Sequence, residues 1–247
     1  MERVRKVEMP APSGSSLKSL IEQKMGPKVT QSPYFQRFLA SLSDEISLKW
    51  TMWIASMAWG GNTVNGAGIG SWSGIGNGGK IHGSPFTISV DAVFDNAGFK
   101  IKTVATKKFL EGLNTILGKK FDIWIGSFTC TANMYSGTCG ATPVSPGPFS
   151  AQSIPVPLLA LGMGDNPANI QKEWEDILTA APDPIFRLDN PNCYTRLFTS
   201  AVSSTIEEQF VQFFLATSMA TGDSVQGTGA PGSGTGSSKS TAAGKVI

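Results

Sequence analysis

The phrase SMAWGGNTVNGAGIG, residues 56–70, returns much later as SMATGDSVQGTGAPG, residues 218–232. In both, an apolar stretch stops and the chain turns to glycine, the residue that loses most backbone freedom on ordering and brings no side chain to bury. A chain that writes this twice repeats a structural unit, and something must hold two tracts that are too poor in side chains to fold alone. The correspondence extends well beyond the glycines. Ser32-Pro33 matches Asn190-Pro191, Arg37 matches Arg196, Glu45 matches Glu207, Ser56-Met57-Ala58 matches Ser218-Met219-Ala220, and Gly60 matches Gly222. After a one-residue gap, Val64-x-Gly66-x-Gly68 falls on Val225-x-Gly227-x-Gly229. Both tracts close on Gly-Lys and a β-branched residue, Gly79-Lys80-Ile81 and Gly244-Lys245-Val246. The match inside the helical part, where glycine cannot inflate it, argues for duplication.

Periodicity supplies the remaining elements. Phe35, Phe38, Leu39, Leu42, Ile46, Trp50, Trp53, Ile54 and Met57 recur at helical spacing after Ser32-Pro33, with a break allowed near Ser43 and a stop at Gly60-Gly61. SLKSLIEQKM, KKFLEGLNTILGKK and NPANIQKEWEDILTAAP read as helices, the last capped by Asn166-Pro167. A final helix follows Asn190-Pro191, with Phe210, Phe213 and Phe214 on its apolar face and Gly222 as its stop. FTISVDAVF and FKIKTVA alternate like two strands joined by DNAG, and FDIWIGSFTCTA reads as a third. SGTCGATPVSPGPFSAQS reads as loop, and IPVPLLAL, broken by proline, as an edge strand or extended segment. The expected fold is α+β: two related helix-plus-glycine-arm units with an antiparallel β-containing middle region, the helices packed on a sheet from 84–130. The segments are 1–31, a flexible arm and short helix; 32–83, the first unit; 84–185, the middle region; and 186–247, the second unit.

The glycine tracts do not read as phosphate cradles. GIGNGGK, residues 74–80, fits both G-x-G-x-x-G and G-x-x-x-x-G-K, but Ile81 stands where a P-loop needs Ser or Thr. A helix precedes the tract and an extended segment follows, the reverse of the order that aims amides at a phosphate. His82 is the single histidine, and CTANMYSGTC lacks zinc spacing, so no cofactor or metal site is expected. Cys130 and Cys139 are open to pairing or to being buried thiols. No nucleophile elbow is present, and Asp44-Glu45 and Glu207-Glu208 sit on helices as solvated or paired carboxylates. Lys107-Lys108 and Lys119-Lys120 read as solvated helix ends. With a net charge of +2 and no basic stripe, nucleic acid is not expected as the main ligand. The basic start lacks the apolar run of a signal peptide, and the helix around Ile46–Trp59 is too short to span a bilayer, so the expectation is a soluble chain made in the cytosol.

Charged residues are only 15% of the chain, where a soluble domain typically carries about 25%. Low charge, long apolar helices, glycine and serine arms over 43–81 and 205–247, and no catalytic set together resemble structural virion proteins of tailed bacteriophages: neck, tail or baseplate subunits. That resemblance implies a non-enzymatic subunit located in the virion, assembled in the host cytoplasm with other virion proteins and copies of itself. The expected contact residues are Val64, Gly66, Gly68, Trp72, Lys80, Ile81, Val225, Gly227, Gly229, Lys245, Val246 and Ile247, with the isolated aliphatics plugging pockets on a neighbour. Deleting 222–247 is then expected to leave a folded monomer that no longer co-assembles. Two other readings stand beside this one. Trp50, Trp53, Trp59 and Trp72 are the kind of aromatics found at bilayer interfaces, which a membrane-active or pore-forming protein would use. A carboxylate or cysteine enzyme would need a deep pocket near Asp91, Asp95, Asp122 or Cys193.

Overall fold

The structure, a computed structural model, describes residues 11–27, 32–77, 80–99, 103–129, 133–153, 156–157, 159–160, 170–180, 188, 193–216, 219–221, 224–230, 236–242 and 244–246. The fold is α+β. Helix α1 (Gly14–Met25) starts at Ser13, whose Oγ accepts the Ser16 N–H at 3.1 Å. Helix α2 (Pro33–Ser56) begins on proline and runs unbroken through Ser43, which is buried beside the stripe Leu39, Leu42, Ile46, Trp50 and Trp53. It ends before the glycines. The tract that follows is four strands: β1 (Ala58–Gly60), β2 (Thr63–Ala67), β3 (Gly70–Asn77) and β4 (Lys80–His82).

The middle region departs from the alternating pattern of its sequence. FTISVDAVF is not a strand: residues 86–89 lead into helix α3 (Val90–Asn96). Of FKIKTVA, residues 100–102 lie outside the described residues, and Val104 and Ala105 begin helix α4 (Val104–Ser127). Ser89 decides the first case. Its Oγ accepts the Ala92 N–H at 3.2 Å, Asp91 adds an acid to the first turn, and Glu45 on α2 accepts the Ser89 N–H at 2.7 Å. FDIWI is helix as well, because Phe121 and Trp124 continue the buried stripe of Leu110, Leu113 and Leu117. Lys119 and Lys120 therefore lie inside a helix, and Lys120 is buried, its Nζ 2.6 Å from Glu173. Conversely, most of the expected loop 136–153 is a hairpin, β6 (Asn133–Cys139) and β7 (Gly147–Ser153), introduced by β5 (Phe128–Thr129) and followed by β8 (Val156–Pro157) and β9 (Leu159–Ala160). The last stretch contains α5 (Ile170–Thr179), α6 (Tyr194–Ala216), β10 (Met219–Thr221), β11 (Ser224–Gly229), β12 (Gly236–Ala242) and β13 (Gly244–Val246). The caps expected at Asn166-Pro167 and Asn190-Pro191 lie outside the described residues.

One order of elements occurs three times, and its bounds differ from the expected segments: the first copy takes in α1, the second runs from α3 through the middle region, and the third takes in α5. Each copy runs short helix, long helix, short strand, hairpin, short strand. The long helices α2, α4 and α6 are separated by the short ones: α1 packs on α2 and α6, α3 on α2 and α4, α5 on α4 and α6. Trp50, Phe121 and Phe210 stand at the same distance from the C-terminal ends of their helices. Their rings form a triangle, with centroids 5.0 Å apart for Trp50–Phe121, 6.2 Å for Trp50–Phe210 and 6.0 Å for Phe121–Phe210. Ile46, Leu117 and Ile206 make the next level of equivalent positions, and Leu42, Leu113 and Val202 the one beyond; all six are fully buried. The pseudo-threefold axis thus passes through the helical core.

The strands continue this symmetry. The short strands form a collar in the order β8-β10-β13-β1-β4-β5-β9, in which β1 pairs with β4, β5 with β9 and β10 with β13, so each unit enters and leaves the collar side by side. Beyond the collar, the three hairpins close into a six-stranded antiparallel barrel, β11-β12-β2-β3-β6-β7. The β8 and β9 strands terminate the collar order, as the proline-interrupted edge strand expected at 154–161 requires.

Candidate interaction surfaces

The barrel explains the glycines. Side chains alternate along each strand: Val64, Trp72, Tyr135, Cys139, Phe149, Ala151 and Val225 point inward and are buried, while Thr63, Asn65, Ser71, Ser73, Ser136, Thr138, Ser150, Gln152, Gln226 and Thr228 are exposed. Eight strands make a lumen just wide enough for side chains to fill, so six cannot hold a large group at every inward position. Trp72 and Phe149 stack at 4.6 Å between centroids with 10° between planes. A Cβ on Gly66 would strike the Trp72 ring and the Ser73 carbonyl; one on Gly76 would come within 2.5 Å of the Tyr135 ring. Glycine is the complement of these aromatics.

Four of the expected contact residues lie inside the chain itself. Val64, Trp72, Ile81 and Val225 fill the chain's own core, because the tracts pair with each other and need no neighbour to order them. Gly66, Gly68 and Gly227 are half-buried and Gly229 is buried in the hairpins. Lys80 in β4 pairs with Gly60 and Thr129; Lys245 in β13 takes the matching place opposite Ala58 and Thr221, and Val246 lies opposite Ala220. Ile247 lies outside the described residues. Trp50 and Trp53 are likewise core, and no helix of the described residues is long and apolar enough to cross a membrane. Cys139 is buried, and Cys130 lies outside the described residues.

The sequence reading missed the third copy. Its signal is present: Ser127-Phe128-Thr129 followed by Asn133-x-Tyr135-x-Gly137-x-Cys139 repeats Ser56-Met57-Ala58 followed by Asn62-x-Val64-x-Gly66-x-Gly68 at one constant spacing. Tyr135, Val64 and Val225 are the same inward position in three hairpins.

Two surfaces remain exposed and shared by the units. At the helical end, the starts of the three long helices present Tyr34, Val104 and Tyr194, which are 66%, 66% and 48% exposed. They sit on an aromatic cluster in which Phe35 meets Tyr194 and Phe198 edge-on at 5.7 and 5.6 Å, and the Arg37 guanidinium lies 5.1 Å from the centre of the Tyr34 ring. Exposed tyrosine with arginine is the composition of protein–protein anchor points. At the other end lies the barrel, whose outer face is mostly serine, threonine, asparagine and glutamine, with Ile75 and Met134 also exposed on it. No Lys, Arg, Asp, Glu or His occurs in 50–79, 123–164 or 224–238, so the chain's charge is concentrated in the helical body.

The helical body also holds an open groove of about 670 Å³ between residues 85–87 and α4. Asn114 in it is engaged, its Oδ1 accepting the Ile88 N–H at 2.8 Å, and Lys119 bonds Glu173 at 2.7 Å. The Lys119 and Lys120 ammoniums hold the Glu173 carboxyl below its ordinary range. That pairing stabilises the fold at neutral pH and is lost as pH falls through the depressed value. Glu207 on α6 behaves oppositely. Burial pushes its carboxyl up, helped by Glu208 and opposed by the Ile170 N–H and Lys120. Its folded form holds the proton more tightly than the unfolded chain does, so the charge it carries at neutral pH is a penalty. Glu207→Gln keeps an acceptor for Ile170 and should melt higher than wild type at pH 7. The difference should close as pH falls below about 4.5, the ordinary carboxyl value; melting curves from pH 4 to 8 check it.

Comparison with protein-family models, curated proteins and solved structures finds no match to this chain.

Proposed function

We propose that this chain is a structural subunit of a large multi-protein assembly, a tailed-phage particle, and that it occupies a threefold axis there. The observation that carries the reading is the three-unit closure. One polypeptide offers three near-equivalent faces around one axis, which favours a partner with matching symmetry, since each contact is then made three times. The low charge content and the Tyr34–Val104–Tyr194 end support protein neighbours, with the helical end rather than glycine arms making the joint. Tyr34→Ser/Tyr194→Ser should leave the melting temperature within a few degrees of wild type, because both side chains are largely exposed, yet abolish incorporation into particles. Quantitative mass spectrometry of purified particles should find one copy for every three of the subunit it contacts. Normal incorporation of the double variant, or a copy number equal to that of its neighbours, would overturn the reading.

A further inference from the structure

The tyrosines of the helical end stand among cations. Arg37 is the fifth residue of α2, Lys107 and Lys108 are the fourth and fifth of α4, and Arg196 is the third of α6. Each long helix thus places a basic side chain close behind Tyr34, Val104 or Tyr194. None of the three carries an acid in its first turn, whereas α3 and α5 do, with Asp91 and Glu173. The sequence leading into α2 and α4 is biased in the same direction. Every charged residue in 26–37 and 99–108 is basic: Lys28, Arg37, Lys100, Lys102, Lys107 and Lys108, in a chain whose net charge is only +2. The sequence leading into α6 is balanced, with Asp183 and Asp189 against Arg187 and Arg196.

This placement works against the stability of the lone chain. Side chains on a helix lean toward its N-terminus, where unpaired N–H groups already make the potential positive. The Arg37 guanidinium does so, 5.1 Å from the centre of the Tyr34 ring. Arg196 has relief within the chain, its Nε 3.6 Å from a Glu175 carboxylate oxygen and its Nη1 donating to the Leu188 carbonyl at 3.3 Å. Arg37, Lys107 and Lys108 have no carboxylate partner among the described residues, and Arg37 and Lys108 are exposed.

We infer that the neighbour on the helical end is a protein face bearing carboxylates, which pair with Arg37, Lys107 and Lys108 around the seats of Tyr34 and Tyr194; this rests on reading that end as the joint. The two parts of the surface divide the work. Aromatic anchors supply affinity, and complementary charges supply orientation and speed of encounter. Nucleic acid is the other polyanion that such cations attract. The cations here gather at one end of the molecule, at three helix starts, instead of along a track that a strand follows. Val104, 66% exposed among them, is an apolar group that a protein face covers and a duplex backbone does not.

Zero-length coupling tests the pairing directly. A carbodiimide joins an amine to a carboxylate only where the two touch. Purified particles treated with it should yield peptides in which Lys107 or Lys108 is bonded to an Asp or Glu of another protein. The Lys119–Glu173 pair, 2.7 Å apart within the chain, reports that the reagent acted. Lys107→Glu/Lys108→Glu should melt no lower than wild type, since it brings acids to a helix start, yet enter particles at least about tenfold less, the low end of what charge steering adds to association. Lys107→Arg/Lys108→Arg should enter normally. If Lys119 couples to Glu173 while Lys107 and Lys108 couple to no neighbour, or if charge reversal leaves incorporation unchanged, the inference is overturned and the Tyr34/Tyr194 joint still stands. Binding of the purified chain to a short DNA duplex at physiological salt, lost on charge reversal, would overturn it in favour of nucleic acid. Normal incorporation of Tyr34→Ser/Tyr194→Ser would remove the joint and this inference with it.

Discussion

A chain that ends at Thr221 should lose its fold. Removal of 222–247 takes β11, β12 and β13 together. Strand β7 loses all six of its partners from Ser224 to Gly229, β2 loses β12, and β1 and β10 lose β13. Val225 leaves the lumen, and water reaches Val64, Trp72, Tyr135 and Phe149, which are at most 2% exposed in the intact chain. At about 1 kcal/mol for each hydrogen bond and roughly 25 cal/mol per Å² of exposed apolar surface, the loss rivals the whole stability of an ordinary domain, about 5–15 kcal/mol. The truncated chain should show no cooperative thermal transition, a flattened near-ultraviolet circular dichroism spectrum and strong binding of an apolar dye. This reverses the expectation drawn from sequence, in which the same deletion spares the monomer. A truncated chain that melts as sharply as the full one would refute the closed barrel.

The reason for that reversal shows what the sequence could carry. The helices α1, α2, α5 and α6 and the middle of α4 were legible because their apolar stripes recur at three and four residues. The repeat was legible because Ser56-Met57-Ala58 and Val64-x-Gly66-x-Gly68 survive in a second copy. What did not show was where glycine-rich strands find their partners. Alternation in a tract such as Val64, Gly66, Gly68 has almost no hydrophobic contrast, since two of those three positions are glycine, so it reads as an arm. The inward glycines make sense only beside Trp72, Phe149 and Tyr135, which come from other strands. The strand reading at 86–94 failed for the complementary reason: Val, Ile and Phe at alternating positions also suit a short capped helix, and the Ser89–Glu45 bond that fixes it joins residues far apart in the chain. Of the candidate surfaces, the low charge was visible in composition, but its segregation from the helical body needed the three hairpins to be placed on one barrel.

Single substitutions in the lumen probe the barrel more sharply than truncation. Gly137 lies in β6 with Ala151 opposite, and any Cβ there would collide with the Ser150 carbonyl and the Ala151 backbone of β7. Backbone in a closed barrel cannot step aside, so Gly137→Val should cost about 3 kcal/mol or more, at or above the usual 1–3 kcal/mol of overpacking. In a chain of this size that lowers the melting temperature by roughly 6–12 °C. Gly126→Ala is the contrasting case: it sits on the exposed side of α4 with nothing near its missing Cβ, and should raise stability by about 0.5–1 kcal/mol. Gly76 separates lumen volume from generic strand effects. There the obstacle is the Tyr135 ring, with Asn62 Cβ at 3.3 Å, and Tyr135 stands where the other two hairpins carry Val64 and Val225. Gly76→Ala should destabilise the wild-type chain by about 1–2 kcal/mol but much less in a Tyr135→Val background, leaving a coupling energy above about 0.5 kcal/mol in a double-mutant cycle. Strict additivity would mean that the two positions do not share the lumen. The barrel would then lose its account of why this chain spends so much of its length on glycine.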